Sequence, residues 1–156
     1  MSYRRFEELP VWQDAADLAR ATFELTSDSL FRPHAGLRNQ LERASVSVSN
    51  NIAEGFERGS NNELLAFLYI ASGSAGETRS MLRVLEKWDI FWLRRKQLGD
   101  LTKQCENISR QLYRWIEQIK RSGFRGQRHL NMTLQSPSPK VKARDTGGEI
   151  DLKSRK

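Results

Sequence analysis

Cys105, His34, His129, Glu54 and Glu77 are the side chains of this 156-residue chain whose types could carry nucleophilic or acid–base chemistry. Nucleophilic catalysis needs a base beside the nucleophile and a group that orients the base. Cys105 instead falls in a regular apolar series, where a thiol packs as a small hydrophobe. His34 follows Arg32-Pro33 at a helix start, and His129 lies in a polar stretch, so neither has an orienting carboxylate at readable spacing. Glu54 and Glu77 could serve as a hydrolytic pair, but no third group makes that chemistry specific. No Gly-rich phosphate loop, Gly-x-Ser-x-Gly elbow or His-x-x-x-His pair occurs. One cysteine and two histidines supply neither an internal disulfide nor a Cys/His metal cluster. The expectation is a protein that is not an enzyme, with no cofactor and no metal.

The cations are more informative. Lys and Arg number 26 against 19 Asp and Glu, a formal charge of +7 that favours anionic partners, RNA or DNA. At about 100° per helical residue, Lys96, Lys103, Arg110, Arg114 and Arg121 project within roughly 20° of one line. That line lies opposite the apolar seam of the same segment. Arg94 and Arg95 precede the stripe, and Arg125 and Arg128 extend it, which makes one basic track a candidate nucleic-acid-binding surface. A solvated face supported by i,i+4 pairs such as Glu106 with Arg110 is the plainer alternative. Trp88, Ile90, Phe91 and Trp92 stand just before Arg94, Arg95 and Lys96. They could seal the end of a core, or stack on bases or a protein partner.

Four helical segments position these residues, and no stretch alternates with period two. The first starts at Leu9-Pro10 and runs to about Ser27. The second spans roughly Pro33 to Phe56, with Leu37, Leu41, Ala44, Val48 and Ile52 on one face and Gly55 and Gly59 bracketing its end. Ser60-Asn61-Asn62-Glu63 is a capping box that opens the third, which runs to about Lys87. The fourth carries the seam Leu98, Leu101, Cys105, Ile108, Leu112, Trp115 and Ile119, in steps of three and four. Short connections make the expected fold all-α, an antiparallel up-down-up-down four-helix bundle. No long internal repeat is visible. Val46, Leu65, Ile70, Trp115 and Ile116 exceed what one core needs, so an oligomeric interface is expected.

Residues 1–124 hold 18 basic and 16 acidic side chains, whereas 125–156 hold 8 and 3. The second part is rich in Gly, Pro, Ser, Gln and Lys, and burial there cannot offset a backbone ordering cost of ~1–2 kcal/mol per residue. The division is therefore a bundle at 1–124 and a disordered basic tail at 125–156. The start, Met-Ser-Tyr-Arg-Arg-Phe-Glu-Glu, lacks an apolar signal region, and no run reaches the ~18 apolar residues of a membrane span. A cytoplasmic setting without membrane contact is expected. Arg43, Asn51, Glu54, Ser74 and Glu77 lie on or beside apolar faces, where buried polar groups need partners, and form a candidate structural polar network.

Ala44-Ser45-Val46-Ser47-Val48-Ser49-Asn50-Asn51-Ile52-Ala53-Glu54-Gly55 resembles the signature of a bacterial four-helix-bundle family, the proteins of 23S rRNA intervening sequences. Leu9-Pro10-Val11-Trp12, Phe67-Leu68-Tyr69-Ile70-Ala71, Gly73-Ser74 and Glu77 extend the likeness over nearly everything before the tail. Ser49-Asn50 departs from it, because the family commonly has Pro-Ser there, with the helix kink that proline imposes. The resemblance implies a ring, commonly a homopentamer, with no known catalytic activity. It also implies a relationship to the accessory variability determinant proteins of diversity-generating retroelements, which bind a reverse transcriptase and its template RNA through a basic surface. The function expected from residues and resemblance together is an oligomeric RNA-binding accessory protein that assists a reverse transcriptase or similar enzyme. The alternative is a protein-interaction scaffold of the uncharacterised branch.

Overall fold

The computed structural model describes residues 3–122, and they form a four-helix bundle. Helix α1 spans Pro10–Thr26, α2 Ala35–Glu57, α3 Asn61–Glu86 and α4 Arg95–Arg121. Each helix packs chiefly on its two neighbours in chain order, and α1 closes the square against α4. This is the up-down-up-down arrangement that three short connections impose. The basic tail at 125–156 and its boundary at 124 lie outside the described residues.

Local chemistry sets the helix ends. Pro10 occupies the first turn of α1, where its missing N–H costs nothing. The Ser60 hydroxyl accepts from the Glu63 amide at 3.3 Å and donates to the Glu63 carboxylate at 2.7 Å, which opens α3. Along α2 the helix is continuous through Ser49-Asn50, and the buried Ser45 and Ser49 donate to the carbonyls of Glu42 and Val46. Buried Thr22, Thr78 and Thr102 likewise donate to carbonyls four residues back, so these core hydroxyls carry no desolvation penalty.

Helix α2 ends at Glu57, between the bracketing Gly55 and Gly59. Gly55 is buried within its last turn, where an added Cβ would stand 2.8 Å from the Phe67 Cβ of α3. The glycine thus also lets the two backbones approach closely, a role the sequence pattern does not show. Ile116 is buried in the core, Val46, Leu65 and Trp115 are half-buried, and Ile70 is exposed. The apolar surplus expected for an interface is therefore smaller than the composition suggests.

The two hairpins duplicate each other's geometry. Thr26 and Glu86 end α1 and α3, Ala35 and Arg95 begin α2 and α4, and each pair is 60 residues apart. A six-residue 3-10 turn joins each hairpin, Ser29–His34 in one and Asp89–Arg94 in the other. Phe31 and Phe91, at the same position of the two turns, are fully buried and meet at 5.0 Å between ring centroids. Around them Arg32 matches Trp92, Pro33 matches Leu93 and His34 matches Arg94, which is why no repeat shows in the sequence.

Candidate nucleic-acid interface

Asp14 of α1 fixes one flank of α4. Its side chain receives Asn107 and Gln111, and its carbonyl accepts from Gln104 at 3.0 Å. With Leu98, Leu101, Cys105, Ile108 and Leu112 buried in the seam, the opposite face of α4 points outward. Lys103, Arg110, Arg114 and Arg121 are exposed on that face and make no hydrogen bond or ion pair within 4 Å among the described residues, although, after Lys96, Lys103 is near enough to Asp100 to help hold that carboxyl below its usual range.

The other predicted cations differ. Arg94 donates to Asp28 across the two turns, from Nε at 2.8 Å, and so ties the first hairpin to the second. Arg95 pairs with Asp89 at 3.3 Å and Lys96 with Asp100 at 2.9 Å. The structure thus divides the stripe into a neutralised group at the turn and an unpaired group along α4. Arg125 and Arg128 lie outside the described residues.

Arg79 joins the unpaired group from α3. With Arg110 and Arg114 it lines an open groove of about 460 Å3 between α3 and α4, along with Glu106, Ser109 and Tyr113. Sequence reasoning passed over Arg79, although Arg79, Arg83 and Lys87 recur at steps of four along α3. Arg83 is held by Glu86 at 2.9 Å and by Glu106 at 3.4 Å, so the carboxylate that lines the groove also pairs with an arginine outside that lining.

The family model described as 23S rRNA-intervening sequence protein matches residues 7–114. The chain belongs to this family. No curated protein matches it. The stretch shared with the family takes in α1 to α3 and α4 as far as Arg114, and so includes Arg79, Lys103 and Arg110 but not Arg121.

The family-like signature on α2 builds a polar seam against α3. Ser47 and Ser74 share a hydrogen bond at 2.9 Å, and Asn51 donates to the Ser47 carbonyl at 2.7 Å and hydroxyl at 3.0 Å. Glu77 accepts from Gln40 at 3.1 Å, while Glu54 pairs with Arg58. Asn51 and Ser74 are therefore brought together through Ser47, which sequence reasoning did not single out, while Glu54 and Glu77 go to separate partners. Gln40 and Glu54 are fourteen residues apart on α2, about 21 Å at 1.5 Å per residue. The two glutamates are held at different levels of the bundle, far beyond the ~5–9.5 Å of a hydrolytic carboxylate pair. Arg43 lines two neighbouring grooves on α2 and makes no ion pair among the described residues.

Cys105 is fully buried, and burial pushes its thiol up to about 12, against a smaller opposing effect of Arg79. Burial so favours the protonated thiol, which is a poor nucleophile. At the turn end, Phe31 and Phe91 seal the core and Trp88 tilts against His34 at 4.7 Å. Ile90, Trp92 and Leu93 project outward, the last two about two-thirds exposed. No helix of the described residues is long and apolar enough to cross a membrane.

Proposed function

We propose that this chain is a non-enzymatic, homo-oligomeric RNA-binding protein that presents RNA to a partner enzyme, a reverse transcriptase or similar. The observation that carries the reading is the contrast between Arg94, Arg95 and Lys96, each paired with an aspartate, and the unpaired Arg79, Lys103, Arg110, Arg114 and Arg121 on one continuous face. Cations left without carboxylates can release counterions from a phosphate backbone. RNA is favoured over DNA by the family's description, which refers to an intervening sequence of 23S rRNA. The buried, protonated Cys105 and the separated Glu54 and Glu77 support a role without catalysis.

Assembly is supported by Tyr69, Ile70 and Val84, each more than half exposed along α3, and a ring of five is what the family resemblance implies. The resemblance is also what points to a reverse transcriptase as the enzyme served. Light scattering of the full chain at micromolar concentration should return a multimer, and labelled RNA should bind with an affinity that falls log-linearly with salt. A monomer removes the assembly, and salt-independent binding removes the RNA reading. The outward Ile90, Trp92 and Leu93 favour one second reading, a protein-docking scaffold, under which the multimer persists without RNA affinity.

A further inference from the structure

Tyr113 is two-thirds exposed in the α3–α4 groove, three residues after Arg110 and next to Arg114, with Arg79 on the opposing helix. Arg110 and Arg114 are like charges at i,i+4, an arrangement that weakens an isolated helix by tenths of a kcal/mol. Neither arginine has an ion pair within 4 Å among the described residues, and Glu106, the carboxylate that lines the groove, pairs with Arg83 at 3.4 Å. Three arginines thus line the same groove as an exposed tyrosine that the core does not use. Anions satisfy the guanidinium groups, and a flat π-face satisfies the ring. A nucleotide carries both.

We infer that this groove is a binding site for unpaired nucleotides, with Arg79, Arg110 and Arg114 holding successive phosphates and Tyr113 stacking on a base. The inference rests on the RNA-binding reading and adds the form of RNA that the face selects. Arg110 and Arg114 stand about 6 Å apart along the helix axis, which suits neighbouring phosphates of an extended strand. Duplex RNA can occupy the arginines but cannot offer Tyr113 a base, since its base faces are stacked within the helix. An acidic peptide can likewise neutralise the arginines but brings no base to the ring. Stacking on an aromatic side chain tolerates any base, so the site prefers single strands without preferring a sequence.

The test measures anisotropy of a labelled oligouridylate and of a labelled RNA duplex with the full-length chain and with Tyr113→Leu, Tyr113→Trp and Arg79→Gln. Tyr113→Leu should weaken oligouridylate binding about 5- to 150-fold and leave duplex binding and the salt slope unchanged. Tyr113→Trp should keep single-strand affinity, which separates stacking from a packing role. Arg79→Gln should flatten the salt slope for both RNAs by about 0.7–0.9. If the wild type binds both RNAs and Tyr113→Leu affects them equally or not at all, the inference falls and the RNA-binding reading stands. If the wild type binds neither, both fall.

Discussion

At the residue scale, Cys105 is taken up by core packing, Glu54 by an ion pair with Arg58 and Glu77 by a hydrogen bond from Gln40. Cys105 packs in the seam of α4 with its thiol raised to about 12, so thiolate is negligible at neutral pH. Native protein should therefore resist iodoacetamide at pH 8, reacting only as fast as it unfolds, while the denatured chain reacts at once; rapid labelling of native protein would contradict the placement. Asp28 is the opposite case. The Leu30 amide at 2.9 Å and then the Arg94 guanidinium hold its carboxyl below the usual carboxylate range. A depressed native value stabilises the fold above the unfolded value of about 4, and that contribution disappears as pH falls through the native value. Asp28→Asn should accordingly be less stable than wild type at pH 7, with the difference closing below pH 4, as read from urea melts. A constant difference across that range would mean that the charge of Asp28 is irrelevant to the joining of the two turns.

At the element scale, the glycines separate contact from cost. An Ala at Gly55 would gain roughly 1 kcal/mol of helix propensity. Its Cβ would also lie 2.8 Å from the Phe67 Cβ and 3.3 Å from the Leu64 carbonyl oxygen, overpacking that costs about 1–3 kcal/mol. Gly55→Ala should therefore lower the thermal midpoint. Gly73 lies within α3 with nothing inside 4 Å of an added Cβ, and Gly73→Ala should stabilise by roughly 0.5–1 kcal/mol. Calorimetry of the two variants checks both signs. The helices themselves were readable because Leu98 through Ile119 repeat every three and four residues and because Pro10 and Ser60 mark helix starts. Gly55 and Gly59 do bracket the end of α2 at Glu57, but the close approach to α3 that Gly55 permits is a tertiary contact that no local pattern carries. Arg79 escaped notice for a related reason: a groove between α3 and α4 belongs to two segments, and no single helical pattern contains it. The pairing of Arg94 with Asp28, 66 residues away, was equally beyond a local reading.

At the scale of the whole molecule, two hairpins of matched geometry meet through Phe31 and Phe91, and five cations without a close ion pair among the described residues, Arg79, Lys103, Arg110, Arg114 and Arg121, gather along one side of α4 and the adjoining edge of α3. The proposed reading sets the cations that hold an aspartate, Arg94, Arg95 and Lys96 at the turn, against those along α4 that hold none within ion-pair distance. The central claim is that the unpaired face, and not the basic charge at large, binds RNA. The most direct measurement is the slope of log affinity against log salt for single-stranded RNA. It should be compared between the wild type, the quadruple variant of Lys103, Arg110, Arg114 and Arg121 to Gln, and the triple variant of Arg94, Arg95 and Lys96 to Gln. Helix propensity barely changes in the quadruple variant, and the triple variant, which gives up the Arg94–Asp28 tie, is compared once circular dichroism shows it folded. At ~0.7 released counterions per contact, the quadruple variant should flatten the slope by roughly 3, and the triple variant by less than about 1. An unchanged slope in a folded quadruple variant, or equal flattening in the triple, would contradict the account.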